Sequence, residues 1–263
     1  MRNIRHKLTS GARELISTLR STPFSELVRR PELPALVVLL VVFGATSLFI
    51  KLADEVREGE TADFDQRVVQ ALRDPDNPRM PRGPWWLVEA GKDITALGGS
   101  TVLTLVTLAA AGYLLLLGKS RAMCLMLLAV TTGALLSNVL KMVFARERPP
   151  TGSDLVNVIT YSFPSGHSML SAVVYLVLGA ILAETEPRRI IRLYFLGLAV
   201  VLTVLIGISR VYLGVHYPTD VLAGWTMGLA WALLWWLIGR FLQRRGEVES
   251  ATGGTGRGSA TVN

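Results

Sequence analysis

Three short strings of this sequence carry residue types and spacings that could do chemistry. The first runs KMVFARERP, from Lys141 through Arg148 to Pro149. The second is PSGH, from Pro164 through Ser165 and Gly166 to His167. The third is SRVYLGVHYPTD, from Ser209 and Arg210 through His216 to Asp220. Lys141, Arg148 and Arg210 supply three cations, a set matched to a phosphate dianion and to the extra charge of its transition state. Ser165 and Gly166 precede an apolar block long enough for a helix. Backbone N–H groups and the Ser165 hydroxyl would then stand at the positive end of a helix dipole, where Gly166 permits close approach. A displacement at phosphorus needs a nucleophile and a proton donor, and the strings offer His167 and His216. His216 and Asp220 are four apart, the spacing that puts two side chains on one helical face. A carboxylate so placed can hold the Nδ1 proton and leave Nε2 free to attack.

Taken singly, each residue has an ordinary explanation. Lys141 could be a lysine snorkelling at a helix end and Arg148 an interfacial anchor. His167 could be a cap, Asp220 a first-turn residue favoured by the dipole, and Ser209 a packing residue. The set resists that account. Eleven specified positions, each matched about one time in twenty by chance, do not gather by accident on one side of a molecule.

The elements that must position these residues are apolar blocks. Hydrophobic residues make up 51% of the 263 residues, and they come in blocks of about 20, enough to cross a bilayer as helix. The blocks are apolar all round rather than along one stripe, which excludes an ordinary soluble helix. Six spans are expected, at about 34–52, 101–117, 122–144, 167–183, 190–208 and 221–241. The fold class is all-α, a polytopic membrane bundle of six transmembrane helices. The first span reads as an uncleaved anchor rather than a signal peptide, being longer than an h-region with no cleavage site after it. Residues 1–33 form a basic segment, residues 34–245 the six-span domain, and residues 246–263 a Gly-, Ser- and Thr-rich tail expected to be disordered. Between the first two spans, Phe64, Val68, Val69 and Leu72 suggest a short amphipathic helix, and Trp85 with Trp86 an interfacial pair. Cys124 reads as a small packed apolar residue.

The net charge of +7 does not imply nucleic acid, because the basic residues cluster at the ends of the apolar blocks. The N-terminal segment, Lys119–Arg121, Arg188–Arg192 and Arg240–Arg245 all belong inside the cell by the positive-inside rule. Six spans then put both termini in the cytoplasm and the three strings on the outer face. The cations of Lys141–Arg148 are the exception, and a site there would account for them.

These strings closely resemble the pattern of the type 2 phosphatidic acid phosphatase family, which includes lipid phosphate phosphatases and vanadium haloperoxidases. The pattern is K-x6-R-P, then P-S-G-H, then S-R-x5-H-x3-D, and the likeness covers roughly residues 95–240. It implies that His216 forms a phosphohistidine, that Asp220 orients it, and that His167 protonates the leaving alkoxide and later activates water. Lys141, Arg148, Ser165, Gly166 and Arg210 would cradle the phosphoryl oxygens, with no metal and no cofactor. The implied substrate is a phosphomonoester or pyrophosphate of a membrane lipid, such as phosphatidic acid, phosphatidylglycerophosphate or undecaprenyl pyrophosphate. A phosphotransferase passing the group to an acceptor hydroxyl is the closest alternative. An anion transporter would explain the outer cations but not the spacing of His216 and Asp220. Leu155, Val156, Ile159, Tyr161 and Phe163 are candidates for lining a lipid-chain path or for plain loop packing.

Overall fold

The structure is a computed structural model and describes residues 33–150 and 160–249. The basic N-terminal segment up to residue 32, Leu155, Val156 and Ile159, and the tail from residue 250 lie outside the described residues. Contacts divide the chain into residues 1–40 and 41–263. In the first unit the described residues are the opening turns of one helix, with Leu36, Leu39 and Leu40 exposed.

Eight helices and no strand occur among the described residues. They are α1 (Leu33–Glu58), α2 (Ala62–Ala71), α3 (Trp85–Ala96), α4 (Ser100–Leu116), α5 (Ser120–Phe144), α6 (Gly166–Thr185), α7 (Arg189–Tyr212) and α8 (Pro218–Arg244). Five of them, α1 and α5 to α8, are long and apolar enough to cross a membrane, and α3 with α4, bent by 47°, passes as a pair, giving up to six spans if the pair is one. The expected stretch at 101–117 falls on α4, and the preceding polar stretch holds two helices rather than one. α2 is the short amphipathic helix expected there, with Val69 buried. α3 starts at Trp85 and Trp86, both exposed. Large apolar side chains such as Phe43, Leu116 and Ile190 are exposed, the inverse of a water-soluble surface. Cys124 is exposed too, a correction to its reading as a packed residue.

Lipid tails are as apolar as leucine, so close packing rather than burial from water must bring these helices together. α6 and α8 meet backbone to backbone. Gly224 and Gly228, one turn apart on α8, press on the opening turns of α6. A Cβ at Gly224 would stand 2.7 Å from the Ser165 carbonyl oxygen, and one at Gly228 2.6 Å from that of Met169. Two tryptophans of α8 staple it to its other neighbours. Trp225 donates to the Thr203 carbonyl of α7 and Trp231 to the Ala129 carbonyl of α5, each at 3.1 Å. Phe163 is fully buried and stacks with Phe49 of α1 and Phe144 of α5, so it packs the loop rather than lining a lipid path.

Two helix ends shape the corner where the three strings meet. α5 ends at Ala145, which adopts the left-handed conformation (φ 46°) and donates to the Lys141 carbonyl at 2.9 Å. That sharp stop turns Arg146 and Arg148 back toward the start of α8. α8 starts with Pro218 in its first turn and Tyr217 at its N-cap, and its Asp220 carboxylate accepts from the Tyr217 backbone N–H at 2.9 Å.

Candidate active site

The ends of α5, α6, α7 and α8 meet at one corner, and every residue singled out from the three strings is there. His216 lies in the turn between α7 and α8 with 1% of its surface exposed. Its Nδ1 is 3.4 Å from Asp220 Oδ2 and 3.3 Å from Ser162 Oγ. Its Nε2 is 3.1 Å from Arg148 Nη1. A guanidinium can only donate, so Nε2 must be the acceptor and Nδ1 must carry the proton. The tautomer with a free lone pair on Nε2 is therefore set by these contacts. Burial, and then Arg210, Arg148, Lys141 and His167, hold the His216 pKa well below the ordinary histidine value. The ring therefore stays neutral over a wide pH range.

His216 and Asp220 meet by a different geometry from the one their spacing suggests. They do not share a helical face, because His216 precedes α8 and Asp220 sits in its first turn. The carboxylate reaches back over the N-cap instead. Oδ2 takes hydrogen bonds from Tyr217 N–H and from the Ser162 hydroxyl, and Oδ1 takes one from Arg146 Nη1 at 2.6 Å.

The cations converge on the same space. Arg210 is fully buried and donates through Nη1 to Thr95 Oγ1 at 3.0 Å, while its Nε and Nη2 have no partner among the described residues. Arg148 is held by the carbonyls of Thr160, Tyr161 and Val215. Lys141 donates to the Tyr161 carbonyl at 2.7 Å. Lys141, Arg148, Arg210 and Arg146 thus face two buried carboxylates, Asp65 and Asp220, an excess of two positive charges if all four are protonated. Buried guanidinium N–H groups without acceptors cost free energy unless a ligand supplies them.

At the start of α6, Ser165 accepts from Ser168 N–H at 3.4 Å and from the Ser168 hydroxyl at 2.9 Å, and Met169 N–H goes to the Ser165 carbonyl. The Ser165 hydroxyl thus caps the helix, which leaves its proton as the part it can offer to an anion. Ser165 N–H is spent on the Asp220 carbonyl at 2.9 Å, which ties the first turn of α6 to that of α8. Gly166 lies under Lys141, whose Cε would be 3.2 Å from an added Cβ. His167 is half-buried, has Arg210, Lys141 and Arg148 as charged neighbours, and makes no hydrogen bond among the described residues. The break between α3 and α4 covers it, since a Cβ at Gly98 would be 3.4 Å from its Cδ2.

Thr95, Ser162, Arg146 and Asp65 were not legible as site residues. Arg146 stands in a run of cations between Lys141 and Arg148, and nothing in that run marks it as different. Asp65 is 81 positions away in the chain from its partner Arg146. No group of three or more His, Cys, Asp or Glu side chains among the described residues could hold a metal ion.

The chain is similar to several known proteins. Residues 122–244 match the PAP2 superfamily. The chain is 42% identical over 199 residues to phosphatidylglycerophosphatase B of Bacillus subtilis, an alignment covering 73% of this chain and 90% of that protein. It is 38% identical over 99 residues to an undecaprenyl-diphosphatase of Sulfolobus acidocaldarius, covering 35% of this chain and 43% of that one. Among solved structures, the transmembrane PAP2-type phosphatidylglycerolphosphate phosphatase of Bacillus subtilis superposes with a TM-score of 0.67 at 34% identity. That superposition covers 77% of this chain and 98% of the solved one.

Proposed function

The chain belongs to the PAP2 superfamily, and from that premise we propose that it hydrolyses a phosphate ester of a membrane lipid through a phosphohistidine on His216. It is an integral membrane lipid phosphatase by its helices and its relatives. One observation carries the assignment of the site. Arg210 is wholly buried, its Nε and Nη2 have no partner among the described residues, and it is a charged neighbour of His216, whose Nε2 lone pair is turned to Arg148. A phosphate dianion supplies the missing acceptors and the missing negative charge together.

In this reading each step of the reaction falls to a residue of the site. The phosphoryl oxygens take hydrogen bonds from Arg210, Arg148, Lys141, the Ser165 hydroxyl and the free N–H groups at the start of α6. Binding draws Arg148 toward the phosphate and uncovers His216 Nε2. The lone pair attacks phosphorus as the bond to the lipid oxygen breaks, and His167 gives that oxygen a proton. Asp220 holds the Nδ1 proton and supports the positive charge that develops on the ring. His167, now a base, takes a proton from water as the water oxygen attacks phosphorus. The N–P bond breaks and inorganic phosphate leaves.

The names of the relatives favour an anionic glycerophospholipid phosphomonoester, with polyprenyl pyrophosphate as the second class. The charge pattern supports both termini in the cytoplasm and the site on the outer face. Trapping tests the central assignment. Protein quenched during turnover of a lipid with radiolabelled phosphate should carry acid-labile, base-stable label, and His216→Ala should carry none. Label persisting at wild-type level in that variant would remove His216 as the nucleophile.

A further inference from the structure

Asp65 is completely buried although it lies on α2, a short polar helix outside the residues matched to the family. A buried carboxylate is costly unless donors satisfy it. Three do: Thr219 N–H at 3.1 Å, Thr219 Oγ1 at 2.5 Å and Arg146 Nη2 at 2.8 Å. Arg146 turns its other nitrogen to Asp220 Oδ1 at 2.6 Å and to Thr219 Oγ1 at 2.9 Å, and its guanidinium lies 4.4 Å from the centre of the Tyr217 ring. One planar fork therefore joins a carboxylate of α2 to the carboxylate that faces His216. A second tie comes from Arg73, just past the end of α2, which donates to the Tyr212 carbonyl at the end of α7 and to the Val69 carbonyl. The turn that carries His216 is thus held at both ends, at Tyr212 and at Thr219, from the same small helix.

We propose that Asp65 and Arg146 are positioning residues for the attack, acting on His216 through Asp220. The proposal rests on His216 being the nucleophile. Asp220 has two oxygens with separate duties. Oδ2 faces the imidazole, while Oδ1 is pinned by Arg146, which fixes the rotation of the carboxylate. Arg146 also sets how much negative charge His216 meets. The groups facing His216 are Asp220 and Ser162 on one side and Arg148, Arg210, Lys141 and His167 on the other. Those facing Arg146 are Asp65, Asp220 and Tyr217, with Glu147 near Tyr217. Without the Arg146 charge, Asp220 would stabilise a protonated His216 more strongly. Without the Asp65 charge, Arg146 would lean on Asp220 alone, and protonation would become no easier.

The two substitutions therefore carry different marks. Arg146→Gln should lower kcat about a hundredfold, the order expected for misaligning a reacting group by about 1 Å. It should also raise the acid limb of kcat/KM by about one pH unit or more, as expected when a neighbouring cation is lost. KM should stay within about twofold, since Arg146 is not among the phosphate ligands. Arg146→Lys keeps the charge and should leave the limb in place with part of kcat restored. Asp65→Asn should lower kcat without raising the limb. The assay is the pH profile of phosphate release from a detergent-dispersed lipid phosphate, with melting temperatures and phosphoenzyme trapping in parallel. A limb unmoved in Arg146→Gln, a limb raised alike in Asp65→Asn, or losses that simply follow melting temperature would overturn the proposal. If Arg146→Gln does not fold, Asp65→Asn and Arg146→Lys decide between the same outcomes. Wild-type protein without His216-dependent label would instead refute the nucleophile on which the proposal stands.

Discussion

Replacing Gly224 by alanine adds one methyl group where α8 presses on the first turn of α6. The new Cβ would stand 2.7 Å from the Ser165 carbonyl oxygen, 2.9 Å from Ser168 Cβ and 3.1 Å from Met169 N. Two of those atoms are backbone, so no side chain can swing aside. To restore ordinary contact at 3.4 Å the Ser165 oxygen must recede by about 0.7 Å. Overpacking of this kind costs about 1–3 kcal/mol, partly offset by up to about 1 kcal/mol of helix propensity gained on leaving glycine. The shift falls on Ser165, Gly166 and His167, and about 1 Å of misplacement costs on the order of a hundredfold in rate. Gly224→Ala should therefore lose roughly tenfold to a hundredfold in kcat. Gly228→Ala is the control. Its Cβ would be 2.6 Å from the Met169 oxygen and 2.7 Å from Ala172 Cβ, an equal clash one turn further from the site. The two variants should melt at similar temperatures in detergent, yet Gly228→Ala should keep most of its turnover. Equal losses of kcat in both would refute the claim that the contact at Gly224 registers the site rather than the fold.

His167→Ala should slow release from phosphomonoesters far more than from pyrophosphate esters, whose leaving group needs a proton less; equal losses in steady-state assays would give His167 a binding role instead. Because burial and the surrounding cations hold the His216 pKa well below 6.5, the neutral ring persists as pH falls. The acid limb of kcat/KM assigned to His216 should accordingly lie below pH 6.5, and a limb at or above that value, abolished with the nucleophile, would contradict the buried geometry. For orientation, cysteine at Asp76 in a Cys124→Ser background should react with an impermeant maleimide in intact cells. Cysteines at Ser120 or Glu186 should react only after lysis, and labelling of all three from one side would break the threading.

The all-helical class was legible because apolar blocks of membrane length leave little choice, and α5 to α8 fall close to their expected limits. Lys141, Arg148, Ser165, His167, Arg210 and His216 were legible because phosphate chemistry restricts residue types so tightly. The link from His216 to Asp220 was legible as a pair but not as a shape, since a separation of four suits both a helix face and a carboxylate folding back over an N-cap. α3 was not legible because an interfacial pair accounts for Trp85 and Trp86 as well as a helix start does. The packing of α6 on α8 did leave a mark, the spacing of four between Gly224 and Gly228, which is a known contact pattern in membranes. The tie between Asp65 and Arg146 left none. Asp65 is one acid among many in its stretch, and only the folded chain selects it.

The hydrogen bond from Arg148 to His216 Nε2 bears on chemoselectivity. An exposed, neutral imidazole reacts with many electrophiles, and a membrane surface offers oxidised and alkylating lipids in plenty. Here the Nε2 electron pair is capped by a cation that, on the proposed mechanism, would also join the phosphate cradle. Only a ligand with enough negative charge to claim that guanidinium would release the pair. A carbonyl or alkyl electrophile brings no such charge and meets a closed nucleophile. On the proposed mechanism the resting enzyme would be protected from self-poisoning by the same arginine that binds the phosphate.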